Sequence, residues 1–303
     1  MAKKVIIITG PTASGKTTLA IEVAKRLNTE IISADSRQIF KFLDIGTAKP
    51  DTQQLASVKH HCIDILYPDE DYDVSLFESD ARKIMDEMFL KGMIPVIAGG
   101  SGLYIKAIVK GIFFGPTKDE EFRLEMDKLR VSQGEEAIYA ILKEKDPLSA
   151  EKMLPSNWKR VIRALEVLHS TGIPIWKHHE EQTTSEDIQY FQFALDIDRK
   201  ILYDRIENRV DAMIASGLEQ EVKKVLEMGY SKDLNSLNTV GYKEMINYIC
   251  NEYNLVRGIE LIKRNSRRYA KRQLTWFRAD KEINWLKHDN NNLVNEIISL
   301  VKQ

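Results

Sequence analysis

The sequence predicts an α/β fold: a parallel sheet with flanking helices, interrupted by an inserted helical domain. Three observations carry this. Residues 5–9 form a continuous β-branched apolar run stopped by Gly10 and Pro11, as expected of a strand buried on both faces of a sheet. Residues 17–27 then place Leu19, Ala20, Val23, Ala24 and Leu27 at helical spacing. From about Lys118 to Gln182 only helical periodicity is present, and the strand–helix alternation resumes near Asp187.

The other elements follow in order. Residues 31–34 read as a short strand ending at Asp35. Residues 94–98 read as a third strand, which delivers Gly99-Gly100-Ser101-Gly102 at its carboxyl end. Helical repeats cover 122–131, 135–145 and 157–168, the last stopped by Thr171-Gly172-Ile173-Pro174. The polar stretch 183–187 precedes a strand at 190–195. The expected organisation is a core of residues 1–115 and 187–303 around a helical insertion of residues 116–186. Ligands of open α/β sheets gather beyond the carboxyl ends of the strands.

With 303 residues, 43% hydrophobic and 29% charged, the chain is long and apolar enough for about two folded domains, which excludes a disordered or fibrous class. Its 44 Lys and Arg against 45 Asp and Glu give a formal charge of −1 and exclude a uniformly basic coat. The charge is nevertheless segregated. Residues 257–278 hold eight bases against Glu260, a net of +7, and residues 64–87 hold nine acids against Arg82 and Lys83, a net of −7. Cys62 and Cys250 make neither a disulfide framework nor a zinc cluster. His60-His61 and His178-His179 lack further ligands at metal spacing. The opening apolar run is too short for a signal peptide or a membrane span, so a cytoplasmic protein without membrane association is expected.

Gly10-Pro11-Thr12-Ala13-Ser14-Gly15-Lys16-Thr17 satisfies G-x-x-x-x-G-K-[ST] in full. Its glycines let backbone amides approach phosphate oxygens, the helix start adds partial positive charge, Lys16 adds a cation and Thr17 a hydroxyl for Mg²⁺. The core is therefore P-loop-containing and binds a diphosphate or triphosphate. Nucleotide hydrolysis asks for a carboxylate at a strand end, yet the strand at 94–98 ends in glycines. The strand-end acid near the loop is Asp35, followed by Ser36-Arg37-Gln38. It suits a base facing a second substrate, a metal ligand or a cap at a strand–helix junction. On these residues alone a small-molecule kinase and an RNA-binding ATPase stand beside group transfer to a nucleic acid.

Further motifs narrow this. Asp35-Ser36-Arg37-Gln38-Ile39-Phe40, Asp44-Ile45-Gly46-Thr47-Ala48-Lys49-Pro50 and His60-His61-Cys62-Ile63-Asp64 are joined by Gly99-Gly100-Ser101-Gly102-Leu103-Tyr104. Arg160 with Arg163-Ala164-Leu165-Glu166, Val240-Gly241-Tyr242-Lys243-Glu244 and the run from Arg268 to Phe277 complete the set. Over nearly its whole length the chain resembles the bacterial tRNA dimethylallyltransferases, also called tRNA isopentenyltransferases. The resemblance implies transfer of a dimethylallyl group from dimethylallyl diphosphate to the exocyclic N6 of the adenosine 3′ of the anticodon in tRNA.

It also implies roles. Asp35 is the general base, Ser101 a catalytic hydroxyl near the tRNA, and Lys16 with the rest of residues 10–17 the diphosphate site. Mg²⁺ is the cofactor, held by Thr17, with Asp35 a second candidate ligand. The anticodon stem-loop is contacted by Asp35, Ser36, Arg37, Gln38, Ser101, Arg123, Lys159, Arg160, Val161, Ile162 and Arg163. Weaker candidates are Asn238, Thr239, Val240, Gly241, Tyr242, Lys243, Lys271 and Arg272. A monomer is the family expectation. Two departures stand out: position 101 is threonine in that family and serine here, which keeps the hydroxyl, and its basic motif starts with glutamine where this chain has Lys159.

The chemistry is coherent. An adenine amine is a poor nucleophile, helped by proton removal as the bond forms, while the allylic carbon is a good electrophile once diphosphate leaves. The base must be flipped out of the anticodon loop to reach the P-loop, and the helical insertion is the expected second wall of its channel. Tyr269, Trp276 and Phe277, interleaved with the basic residues of 257–278, fit either RNA stacking or core packing. Arg205 and Arg209, one helical turn apart, fit salt bridges to Asp204 or Glu207 better than diphosphate neutralisation.

Overall fold

The computed structural model describes residues 3–113, 115, 118–180, 187–290 and 292–302. The chain forms two compact units, Met1–Val109 with Ser185–Gln303, and Lys110–Thr184. The first unit is an α/β layer structure. Its six strands are β1 (Lys3–Thr9), β2 (Ile31–Ser33), β3 (His60–His61), β4 (Val96–Gly99), β5 (Ile188–Asp196) and β6 (Asn284–Lys287). They form one sheet in the order β3-β2-β4-β1-β5-β6, with every pairing parallel. The same unit carries α1 (Lys16–Leu27), α2 (Thr52–Ser57), α3 (Val74–Leu90) and α4 (Gly102–Lys110). It continues with α10 (Arg199–Ala215), α11 (Leu218–Glu227), α12 (Tyr242–Ile249), α13 (Leu255–Arg278) and α14 (Leu293–Lys302).

The apolar run of β1 is buried because helices cover both faces of the sheet. Val5 and Ile7 pack with Phe77 and Met85 of α3 and Ile105 of α4, whereas Ile6 and Ile8 pack with Leu19 and Val23 of α1 and Val301 of α14. β4 starts two residues later than its apolar run suggests. Pro95 has no N–H for the ladder, and its carbonyl instead accepts the Ile6 N–H at 2.9 Å. β3 and β6 escape sequence reading because the first is only two histidines and the second is the mixed tetrapeptide Asn284-Trp285-Leu286-Lys287. A third core, built from Leu43, Val210, Leu218, Val222, Tyr242, Met245 and Ile262, joins the segment after β2 to α10–α13.

The second unit is helical, with α5 (Glu120–Gln133), α6 (Glu135–Lys145), α7 (Pro147–Glu151), α8 (Trp158–Thr171) and α9 (Ile175–Glu180). Residues 116 and 181–186, including most of the polar stretch, lie outside the described residues. Met126, Ile138, Leu142, Val161, Ile162 and Leu165 form its core. Val161 and Ile162, expected to touch tRNA, are thus core side chains at 0% and 6% exposure, and a buried helix face offers RNA no contact. Lys159 and Arg160 are exposed on the same helix.

A buried carboxylate organises this unit. Glu166 of α8 accepts from Arg123 Nε at 2.6 Å and Nη2 at 2.8 Å, from Arg163 Nη1 at 2.6 Å and from the Asp119 N–H at 2.9 Å. Burial alone raises a carboxyl, but these donors outweigh it and hold Glu166 down at about 2. A carboxyl depressed in the folded state contributes stability that is present above its unfolded value near 4.5 and lost as pH falls towards about 2. Hydrogen exchange of α8 is therefore expected to accelerate across that window. Glu166→Gln should destabilise the helical unit by about 2–3 kcal/mol at neutral pH and remove most of the acid dependence.

Candidate active site

β1 ends at Thr9, and the loop that follows enters α1 through Gly15. Gly10 at φ 141° and Gly15 at φ 96° occupy backbone regions that side chains avoid, so the glycines of the motif are required by the turn itself. Gly15 caps α1 without a side-chain hydrogen bond, leaving the first amides of the helix for an anion. The Ser14 hydroxyl in the same loop is buried and has no partner among the described residues.

A single amide from α13 ties this loop to the end of β4. Gln273 Oε1 accepts the Thr12 N–H at 2.8 Å, and its Nε2 donates to the Gly100 carbonyl at 2.9 Å. The glycines after β4 are explained by these approaches. A Cβ on Gly99 would lie 2.1 Å from the Ala34 carbonyl oxygen, and one on Gly100 would lie 2.4 Å from Gln273 Nε2.

Between these elements lies a cavity of about 320 Å³ at the carboxyl ends of the strands. Thr12, Lys16 and Thr17 of the P-loop, Asp35 to Gln38 and Asn238 to Gly241 line it, as do Tyr269, Arg272 and Gln273. Among the described residues its charged lining consists of four cations, Lys16, Arg37, Arg209 and Arg272, against the single carboxylate of Asp35. An apolar side is made by Ile206, Val210 and Met213 of α10 together with Val240 and Ile262.

The cations are held under electrostatic stress. Burial and the facing Arg209 guanidinium bring the Lys16 ammonium down to about 8, with Asp35 acting in the opposite direction. Burial also pulls Arg209 below its ordinary value. Arg209 Nη1 donates to Thr12 Oγ1 at 3.3 Å. The expected salt bridge to Glu207 does not form, because Glu207 pairs with Arg267, while Arg205 is exposed with no ion pair among the described residues. Lys16 Nζ donates only to the Pro11 carbonyl, at 3.3 Å, among the described residues. Burial and the Asp35 charge push the Tyr269 phenol up to about 12, so it faces the cavity as a neutral donor.

Asp35 caps a turn rather than a helix. Its Oδ1 accepts the Arg37 N–H at 2.9 Å and the Gln38 N–H at 3.4 Å, which fixes the carboxylate where β2 opens into the cavity. Ser101 is not part of the cavity lining. Its hydroxyl accepts the Ser36 N–H at 3.1 Å and so supports the turn that carries Asp35. Arg37 Nη1 reaches the Asn235 carbonyl at 2.6 Å.

Among the weaker candidates, Asn238, Thr239, Val240 and Gly241 line the cavity. An adjoining groove of about 250 Å³ shares Arg272 with it and adds Lys243 and Arg268. Tyr242 is corrected: it is fully buried in the third core, and its hydroxyl donates to Glu221 rather than facing a ligand. The basic run is partly neutralised, since Arg257, Lys263, Arg267 and Arg278 pair with Glu260, Asp211, Glu207 and Asp196. Among the described residues no carboxylate pairs with Arg264, Arg268, Lys271 or Arg272. Of the interleaved aromatics, Tyr269 lines the cavity, Trp276 packs on Gly102 while 40% exposed, and Phe277 is core. Sequence reasoning gives Gln273 no role although it lies in the run from Arg268 to Phe277, misses Glu221, a single polar residue in a helix that carries no motif, and underrates Arg209.

Comparison with known proteins gives a consistent answer. The family described as IPP transferase matches residues 38–280. A tRNA dimethylallyltransferase of Acetivibrio thermocellus is 46% identical over 300 residues, covering 98% of this chain and 96% of that one. One from Thermotoga neapolitana is 47% identical over 283 residues, covering 93% of this chain and 92% of the other. The crystal structure of the tRNA isopentenylpyrophosphate transferase of Bacillus halodurans is 38% identical and superposes with a TM-score of 0.74, over 100% of this chain and 96% of that one. A eukaryotic dimethylallyltransferase, captured acting on tRNA, is 27% identical with a TM-score of 0.82, over 100% of this chain and 81% of its own. This chain belongs to the IPP transferase family.

Proposed function

We propose that the chain transfers the dimethylallyl group of dimethylallyl diphosphate to the exocyclic N6 of the adenosine 3′ of the anticodon in tRNA, releasing diphosphate. The observation that carries this is the composition of the cavity, where four cations and one carboxylate sit beside an apolar wall. A diphosphate satisfies the cations, a short prenyl chain satisfies the wall, and the carboxylate is left for an amine. Family membership and the names borne by the relatives support the same reading.

In this reading the amides of the P-loop with Lys16 and Arg209 hold the diphosphate and stabilise the charge that develops as the allylic C–O bond breaks. Asp35 takes a proton from the adenine amine as the C–N bond forms. Ile206, Val210 and Met213 keep water from the allylic carbon. Ser101 acts through the Asp35 turn. The Thr17 hydroxyl is a hard oxygen donor on the same cavity and would hold Mg²⁺ together with donors from the diphosphate, which leaves the Asp35 carboxylate to act as the base. When bound, the ion adds positive charge against the diphosphate.

Lys159 and Arg160 are proposed phosphate contacts for tRNA, as are Arg268, Lys271 and Arg272. Among the described residues no helix is long and apolar enough to cross a membrane. A cytoplasmic monomer is part of the same proposal and rests on the family resemblance.

Incubation with unmodified tRNA, Mg²⁺ and labelled dimethylallyl diphosphate is expected to label the RNA. ATP turnover without labelling would overturn the assignment. Asp35→Asn should lower kcat by about 10²–10⁴-fold, the usual range for a general base, with tRNA affinity nearly unchanged in filter binding. Replacing Lys159 and Arg160 with alanine should weaken tRNA binding and reduce the slope of log affinity against log salt by about 1 for each phosphate no longer neutralised. An unchanged slope would remove them from the interface.

A further inference from the structure

Outside the cavity, one carboxylate has more hydrogen-bond donors than its place on a helix explains. Glu221 lies in the first turn of α11, yet its side chain turns towards the segment after β2. Its Oε2 accepts the N–H groups of Asp44 at 3.1 Å and Ile45 at 2.8 Å, and its Oε1 accepts that of Gly46 at 3.1 Å. The Tyr242 hydroxyl donates to Oε1 as well. Three successive amides converging on one anion form a nest of the kind that binds phosphate. Here the chain's own carboxylate fills it, so the loop is shaped before any ligand arrives.

The clamp is tight on both sides. A Cβ on Gly46 would lie 2.3 Å from the Tyr242 ring, so the loop backbone rests directly on the aromatic face. Lys49, whose side chain is only 4% exposed, bridges Asp44 and Asp64 and donates to the Phe40 carbonyl at 3.0 Å. The loop thus held supplies Gly46, Thr47 and Ala48 to the cavity. Its carbonyls in turn hold Gln38, whose Nε2 donates to Ala48 at 3.1 Å and Thr47 at 3.4 Å. Gln38 also gives its backbone N–H to Asp35.

We propose that Glu221 is a positioning residue for the transfer reaction: by filling the amide nest of residues 44–46 it fixes the loop that holds Gln38, and through Gln38 the carboxylate of Asp35. The inference rests on the reaction proposed above. Glu221 does not line the cavity. Its effect is orientation of the base, so it belongs in kcat and depends on Asp35 being present.

A double-mutant cycle reads this directly. Glu221→Gln keeps the size of the side chain but places a donor amide against N–H groups. It is expected to lower kcat about tenfold with tRNA affinity unchanged, and to cost nothing further in the Asp35→Asn background. Tyr242→Phe, which preserves the ring packing, should show the same pattern with a loss of about threefold, and serves where Glu221→Gln fails to fold. Losses that multiply with that of Asp35→Asn, or unchanged kcat in a folded variant, would overturn the role of Glu221. A wild-type chain that transfers no label would instead overturn the reaction itself.

Discussion

The constraint on which the rest depends is an unbalanced charge. Lys16 at the start of α1 and Arg209 of α10, both half-buried, line the same cavity, and among the described residues the one carboxylate of its lining, Asp35, does not neutralise both. Bringing two cations together partly out of water costs free energy, which the Asp35 charge offsets only in part. In the proposed reaction an arriving diphosphate would relieve this strain, and the imbalance would be the source of its affinity. The continuous core of β1 and the packing of α1 on the sheet supply the rigidity needed to hold like charges close.

Orientation is handled by neutral and internally satisfied groups. Gln273 spans the P-loop and the turn after β4, where a side chain on Gly100 would collide with its amide, and Gly99 lets the end of β4 approach the Ala34 main chain. Ser101 supports the main chain beside Asp35, a task that serine performs as well as threonine because the hydroxyl oxygen is the acceptor. In the proposed reaction the division of labour is physical: cations would develop binding energy against the leaving group, and hydrogen-bonded turns would hold the base where the amine arrives.

Much of this was legible in the chain. The β1 run, the P-loop and the helix after it are local patterns with one physical solution, and Asp35 was recognisable as the acid at the end of the next strand. Motif reading failed where contiguous residues diverge in space. Val161 and Ile162 lie within a basic motif but face inward because a helix turns successive residues by about 100°. Tyr242 follows Gly241 into the core in the same way. Arg209 escapes local reading because, of its two expected partners, Glu207 is taken by Arg267 from another helix, 60 residues away, and Asp204 forms no ion pair with it among the described residues. Glu221 had no readable signal at all, since the amides it binds lie 175–177 residues earlier. The segregated charge along 257–278 was real, but acids of α10 neutralise part of it, so the exposed basic surface is narrower than its net of +7 suggests.

The central claim is most directly tested by calorimetric titration of inorganic diphosphate into the wild-type protein and into Lys16→Ala and Arg209→Ala. The account predicts binding by the wild type and a loss of about tenfold or more in each variant, the ~1.4 kcal/mol or more expected of a charge-assisted hydrogen bond. Equal affinity in all three proteins would contradict it, because the buried cations would then be structural and the diphosphate would bind elsewhere.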